Sequence, residues 1–245
     1  MRLTRIHVEA SLAMGTRVTL PEDAAAHLVR VLRLQPGDAC VLFNGDGNDY
    51  DARIAAAGKR SVEVDIVGLR TVDNESSLSI TLLQGVARGE KMDLILQKAT
   101  ELGVAAISPL WSQRSEVRLD EARAEKRLTH WQGVVIAACE QSARARVPAV
   151  AAPLPLAAAL AALPATGLKL ILDPDGEWSL GTLALEPAMP IVLAVGPEGG
   201  WSPGDREQLR GAGFVGVRLG PRVLRTETAG LAAIAALQAR FGDFV

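Results

Sequence analysis

Apolar and polar positions along this chain follow two different rhythms. Beyond residue 78, short apolar runs at 78–83, 104–110, 168–172, 190–195 and 214–219 alternate with stretches of helical period. That alternation predicts an α/β domain with a largely parallel sheet. The stretch 89–102 sets Met92, Ile95, Leu96, Ala99 and Leu102 on one stripe, the mark of an amphipathic helix. The last stretch, about 227–241, is apolar nearly all round, from Ala229 and Leu231 to Leu237 and Phe241. It predicts a helix covered on two sides, one by the sheet and one by a second subunit. Residues 149–166 are rich in Ala, Leu and Pro and read as an apolar helix with a loop at each end and no chemistry.

The first 70 residues have shorter periods. Arg17-Val18-Thr19-Leu20 and Cys40-Val41-Leu42-Phe43 read as strands, and Ser61–Val67 alternates with the period of a half-buried strand. Pro21-Glu22-Asp23 opens a helix carrying Ala26, Val29, Val31 and Leu32. Asn44-Gly45-Asp46-Gly47-Asn48 is a turn, because Asn and Gly tolerate positive φ. Several strands and one helix predict a small barrel-like module. Polar, aperiodic residues 71–77 set the expected boundary between domains at 1–72 and 77–245.

Composition narrows the classes. The chain has 245 residues, 49% of them hydrophobic, and a net charge of -2, which excludes disorder as the main state. Cys40 and Cys139 form no C-x-x-C pair, and His7, His27 and His130 have no ligand spacing, so neither a disulfide framework nor a metal is expected. No apolar run spans a bilayer, and Met1–His7 lacks the apolar core of a signal peptide; a soluble cytoplasmic protein is the expectation. A dedicated nucleic-acid binder is usually basic overall, and this chain is not. Its charge is uneven, though: residues 84–148 are basic on balance, while 149–200 are acidic. A polyanion partner must therefore meet a local patch. With 4% aromatics, no broad base-stacking platform is expected.

Two segments carry chemistry. In Val192-Leu193-Ala194-Val195-Gly196-Pro197-Glu198-Gly199-Gly200-Trp201-Ser202-Pro203 a buried strand enters a glycine-rich turn and a helix starts near Ser202. Glycines let backbone approach a ligand, and ligands of open α/β sheets bind outside the carboxyl ends of strands. The bland alternative is an ordinary strand–turn–helix connection. The turn is neither G-x-G-x-x-G nor a P-loop. In Val217-Arg218-Leu219-Gly220-Pro221-Arg222-Val223-Leu224-Arg225-Thr226-Glu227-Thr228-Ala229 a second strand ends in a Gly-Pro turn, with Thr226 as the expected N-cap of the final helix. Arg222 and Arg225 precede that helix start, where the dipole disfavours a cation; the alternative is a pair of solvated surface arginines.

GPEGGWS together with LGPRVLRTETAGLAAIAALQARFGD resembles the C-terminal motif of SPOUT-class RNA methyltransferases, most nearly the ribosomal RNA small subunit methyltransferase E family. Arg88-Gly89-Glu90-Lys91-Met92-Asp93, Gln97–Val104 and Ala138–Arg144 agree with it. The resemblance implies a PUA-like β-barrel followed by an α/β domain with a deep trefoil knot. It implies S-adenosylmethionine as cofactor, N3 of a uridine in 16S ribosomal RNA of the small subunit as methyl acceptor, and a homodimer. Three loops would build the cofactor pocket: one at Leu172, one at Gly196, Pro197, Glu198, Gly199 and Gly200, and one at Leu219, Gly220, Val223, Leu224 and Thr226. The alternative is a non-catalytic RNA-binding or ribosome-assembly module of the same fold.

Uracil N3 is a poor nucleophile until its proton leaves. A cation near O2 or O4 stabilises the developing anion, and a carboxylate takes the proton. Arg225 or Arg114 is the candidate cation; Glu140, Glu198 and Glu227 are the candidate bases. Each carboxylate also has an ordinary reading, as a holder of backbone amides (Glu198), a helix-start charge (Glu227) or a plain helix residue (Glu140). Arg114, Arg118, Arg144 and Arg146, with Arg5, Arg30 and Arg33 on the small domain, are the candidate phosphate contacts, which position RNA without reading its sequence.

Overall fold

The computed structural model describes residues 3–26, 28–29, 32–58, 61–116 and 121–244. Arg30 and Arg118, both candidate phosphate contacts, lie outside the described residues, as does Val31. The chain forms two compact units. One comprises Met1–Glu75 and Cys139–Val147; the other comprises Ser76–Ala138 and Pro148–Val245. The short segment 139–147 thus packs with the N-terminal unit although it lies far beyond residue 72.

The N-terminal unit is a five-stranded sheet in the order β1-β3-β4-β5-β2, from β1 (Arg5–His7), β2 (Arg17–Thr19), β3 (Ala39–Phe43), β4 (Asn48–Ala57) and β5 (Val62–Thr71). β1 pairs with β3 in parallel, and every other pairing is antiparallel. Gly45 and Gly47 take positive φ in the β3–β4 turn, as the Asn-Gly pattern requires. Alternate residues Val62, Val64 and Ile66 face a core that also holds Ile6, Leu28, Leu42 and Ile54. The helix expected after Pro21 begins as α1 (Glu22–Ala26).

In the larger unit, β6 (Ile80–Gly85) and β12 (Ile191–Val195) lie side by side and are almost wholly buried, as strands covered on both faces are. The order is β11-β13-β10-β12-β6-β7-β8, with all pairs parallel; the added strands are β7 (Ala106–Trp111), β8 (Ala149–Val150), β10 (Leu168–Leu172), β11 (Trp178–Ser179) and β13 (Val215–Arg218). A short β9 (Leu154–Pro155) pairs with β7 off this path. The alternation of apolar runs and helices produces this sheet. The carboxyl ends of β6, β7, β10, β12 and β13 therefore share one edge, from which the chain leaves into α2 (Glu90–Glu101), α3 (Glu121–Ser142), α5 (Pro203–Gly211) and α6 (Thr226–Phe241).

Residues 149–166 hold the expected apolar helix as the six-residue α4 (Leu156–Ala161), and the segment ahead of it, with Pro153 and Pro155, forms two short strands. α6 is covered along one face only, at Gly230, Ala233, Ile234, Leu237 and Gln238; Thr228, Ala232, Ala236 and Ala239 stay exposed. Among the described residues no helix is long and apolar enough to cross a membrane, and no cluster of three or more His, Cys, Asp or Glu can hold a metal.

Candidate active site

The strand ends surround a cleft of about 470 Å³, within the range of roughly 300–1,000 Å³ usual for small-ligand sites. Three loops predicted to meet do meet. Leu172, Asp173 and Pro174 follow β10; Gly196, Pro197, Glu198 and Gly200 follow β12; Leu219, Gly220, Val223, Leu224, Arg225 and Thr226 follow β13. Gly199 lies against Arg114, leaving no room for a side chain: a Cβ there would meet the Arg114 carbonyl oxygen at 2.8 Å.

One hydroxyl ties the second loop to the third. Thr226 Oγ1 donates to the Gly196 carbonyl at 2.5 Å and accepts from Gln84 Nε2 at 3.0 Å. This corrects the expected cap. Thr226 has spent its hydroxyl on Gly196, so the helix boundary falls one residue earlier, with Arg225 as N-cap and no side-chain capping bond. α5, in contrast, begins as its sequence suggests: Ser202 Oγ accepts from the Asp205 N–H at 3.0 Å, and Asp205 Oδ2 accepts from the Ser202 N–H at 2.9 Å. Against the 196–200 turn sits Gly85, the last residue of β6. A Cβ at Gly85 would meet Pro197 N at 2.5 Å, so the turn rests on bare backbone.

Charged groups ring the cleft. Glu198 Oε1 accepts from the Arg88 N–H at 3.0 Å. Lys91 Nζ stands 3.6 Å from Glu198 Oε1 and 3.8 Å from Glu227 Oε2. Partial burial pushes the Glu198 carboxyl up, but the Arg88 amide, Glu198's own amide and the Lys91 ammonium together outweigh it and hold the group below the usual carboxylate range. Glu227 Oε2 is buried without a hydrogen-bond partner. Asp173, almost fully buried, takes a bidentate bond from Arg206 of α5: Nε to Oδ2 at 2.7 Å and Nη2 to Oδ1 at 3.0 Å. That bond raises the Arg206 guanidinium further above its ordinary value, against a smaller opposing effect of burial. Arg114, Arg222 and Arg225 are exposed at the rim and have no ion-pair partner among the described residues. Arg114 Nη1 donates to the Gly199 carbonyl at 3.3 Å.

Other candidates lie elsewhere. Glu140 belongs to the N-terminal unit, where Oε1 accepts from the His7 N–H at 3.0 Å, and it is not among the residues lining the cleft. Arg5 and Arg144 are corrected: neither is a surface arginine. Arg5 is buried against Asp49 at 2.5 Å, donates to the Cys139 carbonyl and lies over the Phe43 ring. Arg144 is buried against Glu75 in the same unit, at 2.5 Å. Each guanidinium is committed to a carboxylate, because a buried cation must be paired. Arg33 and Arg146 are exposed. Lys91, Asp173, Trp201 and Arg206 line the cleft and were missed; Arg88-Gly89-Glu90-Lys91 stood in a motif, but nothing in its spacing aimed Lys91 at two carboxylates more than 100 residues away.

A strand-end cleft built from glycine turns and rimmed by arginines defines a small-ligand site at the carboxyl edge of a parallel α/β sheet. Residues 74–238 match the RNA methyltransferase domain family, and residues 20–67 match the RNA methyltransferase PUA domain. The chain is similar to ribosomal RNA small subunit methyltransferase E of Buchnera aphidicola subsp. Schizaphis graminum, at 31% identity over 242 residues, 99% of this chain and 98% of the relative. It is similarly 31% identical to the same enzyme of Mycobacterium bovis over 227 residues, 91% of this chain and 86% of that one. Among solved structures, a ribosomal RNA small subunit methyltransferase E from Neisseria gonorrhoeae, bound to S-adenosyl methionine, superposes with a TM-score of 0.95 at 45% identity, covering 100% of both chains. The chain belongs to the ribosomal RNA small subunit methyltransferase E family of RNA methyltransferases.

Proposed function

We propose that this protein is an S-adenosylmethionine-dependent methyltransferase that modifies N3 of a uridine in 16S ribosomal RNA of the small subunit. The observation that carries the reading is the meeting of the 196–200 and 219–226 turns in one cleft, pinned by Thr226 on Gly196. The bound cofactor in the Neisseria gonorrhoeae relative supports it.

The residues present fit the cofactor. Leu172, Leu219 and Leu224 offer an apolar slot for a purine ring beside the exposed backbone of the glycine turns. At Gly200 and Gly220, both with positive φ, no protein atom lies within 4 Å of where a Cβ would stand, so the turns leave open room. Val223, 79% exposed, is an apolar side chain at the rim that a ligand would cover. When bound, S-adenosylmethionine supplies a methyl group activated by its sulfonium. Everything else falls to the chain. Of the three candidate carboxylates, Glu227 is the proton acceptor: its buried Oε2 has no donor of its own, whereas the Glu198 and Glu140 carboxylates accept backbone N–H groups. Arg225 and Arg114, unpaired at the rim, stabilise negative charge on the uracil oxygens as N3 loses its proton. Arg146 and Arg33 meet phosphates from the N-terminal unit.

The same reading carries a knotted threading of the larger unit, a cytoplasmic location and a homodimer that covers the exposed small-residue face of α6. The test is methyl transfer to small subunits from cells lacking the protein, read by nucleoside mass spectrometry. One 3-methyluridine per subunit is expected, lost with Arg225→Ala; binding of RNA without methyl transfer means a non-catalytic module instead.

A further inference from the structure

Lys91 occupies the second position of α2, in the first turn after its N-cap Gly89, where a helix dipole disfavours a cation. Local helix stability does not account for it there; the cleft does. Its Nζ approaches two carboxylates from two other elements, Glu198 on the turn after β12 and Glu227 in the first turn of α6. Those two differ in what else they hold. Glu198 keeps the Arg88 N–H, so it stays held without Lys91. Glu227 Oε2 has no hydrogen bond, and Lys91 is the one cation within ion-pair distance of it among the described residues. A charged oxygen buried without a donor is costly unless a nearby cation or a ligand compensates.

We infer that Lys91 is a positioning residue for methyl transfer, confining the Glu227 carboxylate at the cleft while leaving its lone pairs open to a donor on the bound base. The inference rests on the methyl-transfer reading above. The geometry suits that role, since 3.8 Å is an ion-pair contact longer than a hydrogen bond and the ammonium attracts Oε2 without occupying it. The Lys91 side chain is 35% exposed and that of Glu227 16%, so the pair is only partly screened by water. Removing Lys91 leaves Glu227 Oε2 with no cation within ion-pair distance among the described residues, and the carboxylate is then free to turn toward solvent.

The test uses the full chain, small subunits lacking the modification, and S-adenosylmethionine. Lys91→Met is expected to lower kcat by about tenfold or more, the scale of a misplaced proton acceptor. Its KM for the subunit and its cofactor affinity by calorimetry should stay within about twofold, because Lys91 acts through Glu227 rather than on either ligand. Lys91→Arg should restore kcat to within about threefold, since a cation returns. Lys98→Met, which removes a partly buried pair with Glu101 on the same helix and away from the cleft lining, controls for damage to α2. Unchanged kcat in Lys91→Met overturns the inference. So does a parallel loss of cofactor affinity, or a failure of Lys91→Arg to recover. If Lys91→Met cannot be purified folded, Lys91→Gln carries the same expectations. Wild-type protein that transfers no methyl group overturns the methyl-transfer reading itself, a result separate from any of these.

Discussion

Replacing Arg206 by Met removes one half of the bidentate pair that holds the cleft loop after β10. Asp173 Oδ2 then has no partner, and Oδ1 keeps only the Asp175 N–H at 3.1 Å. The Asp173 side chain is 3% exposed, so its charge cannot turn to water, whereas Arg206 is 27% exposed and already partly solvated. Breaking a buried pair from one side costs about 3–5 kcal/mol, and partial exposure of the guanidinium lowers that here to about 2–3 kcal/mol. In a domain of this size the loss lowers Tm by roughly 5–10 °C. Asp173 also shapes the loop, because its N–H donates to Val217 and its carbonyl accepts from Gly176. Leu172 and Pro174, on either side of it, line the cleft. Half of the cost appearing at the cleft corresponds to roughly tenfold weaker cofactor binding. Differential scanning fluorimetry and calorimetry with S-adenosylhomocysteine read the two effects. The double variant Asp173→Asn with Arg206→Met removes the stranded charge and should regain most of the loss. An Arg206→Met protein with wild-type Tm and affinity, or a double variant no better than the single, refutes the reasoning.

Three further outcomes follow from the same geometry. Gly85→Ala drives a methyl into the Pro197 backbone at 2.5 Å and should abolish cofactor binding by calorimetry; a volume-tolerant site would bind as before. Burial pushes the Cys40 and Cys139 thiols up to about 11, so native protein should resist alkylation at pH 8 and both thiols should react once it is unfolded, counted by mass spectrometry. Burial also lowers the His7 pKa, against the smaller opposing pull of Glu9 and Glu140. The unfolded chain then binds the proton more readily, so this stabilisation is present above about pH 6.5 and is lost as pH falls through the lowered value. Urea midpoints between pH 7 and 5 should fall for the wild type and fall less for His7→Gln.

Much of the scaffold was legible because it is local. The apolar runs at 168–172 and 190–195 correspond to β10 and β12 within a residue, and Ser202 starts its helix because its partner Asp205 is three positions away. The two glycine turns were visible as turns, and the family resemblance supplied their meeting. What escaped was non-local. α3 spans 22 residues with charged first turns and only a weak apolar stripe, so periodicity did not announce it. Arg5 and Arg144 look like surface residues until Asp49 and Glu75 appear beside them, and no spacing rule links residues 44 or 69 positions apart. Asp173 and Arg206 were hidden the same way, 33 positions apart on a loop and a helix. Gly85 gave one hint: a glycine closing an almost wholly buried strand marks a close approach of backbone.

The central claim is that the two glycine turns enclose one site for a methyl donor. Calorimetry with S-adenosylmethionine on the wild type and on Leu219→Arg, which places a charge in the apolar slot, tests it most directly. One cofactor per chain in the wild type and none in a folded Leu219→Arg is the expected result. Undiminished binding in that variant, or binding of NAD or ATP in place of S-adenosylmethionine, contradicts it.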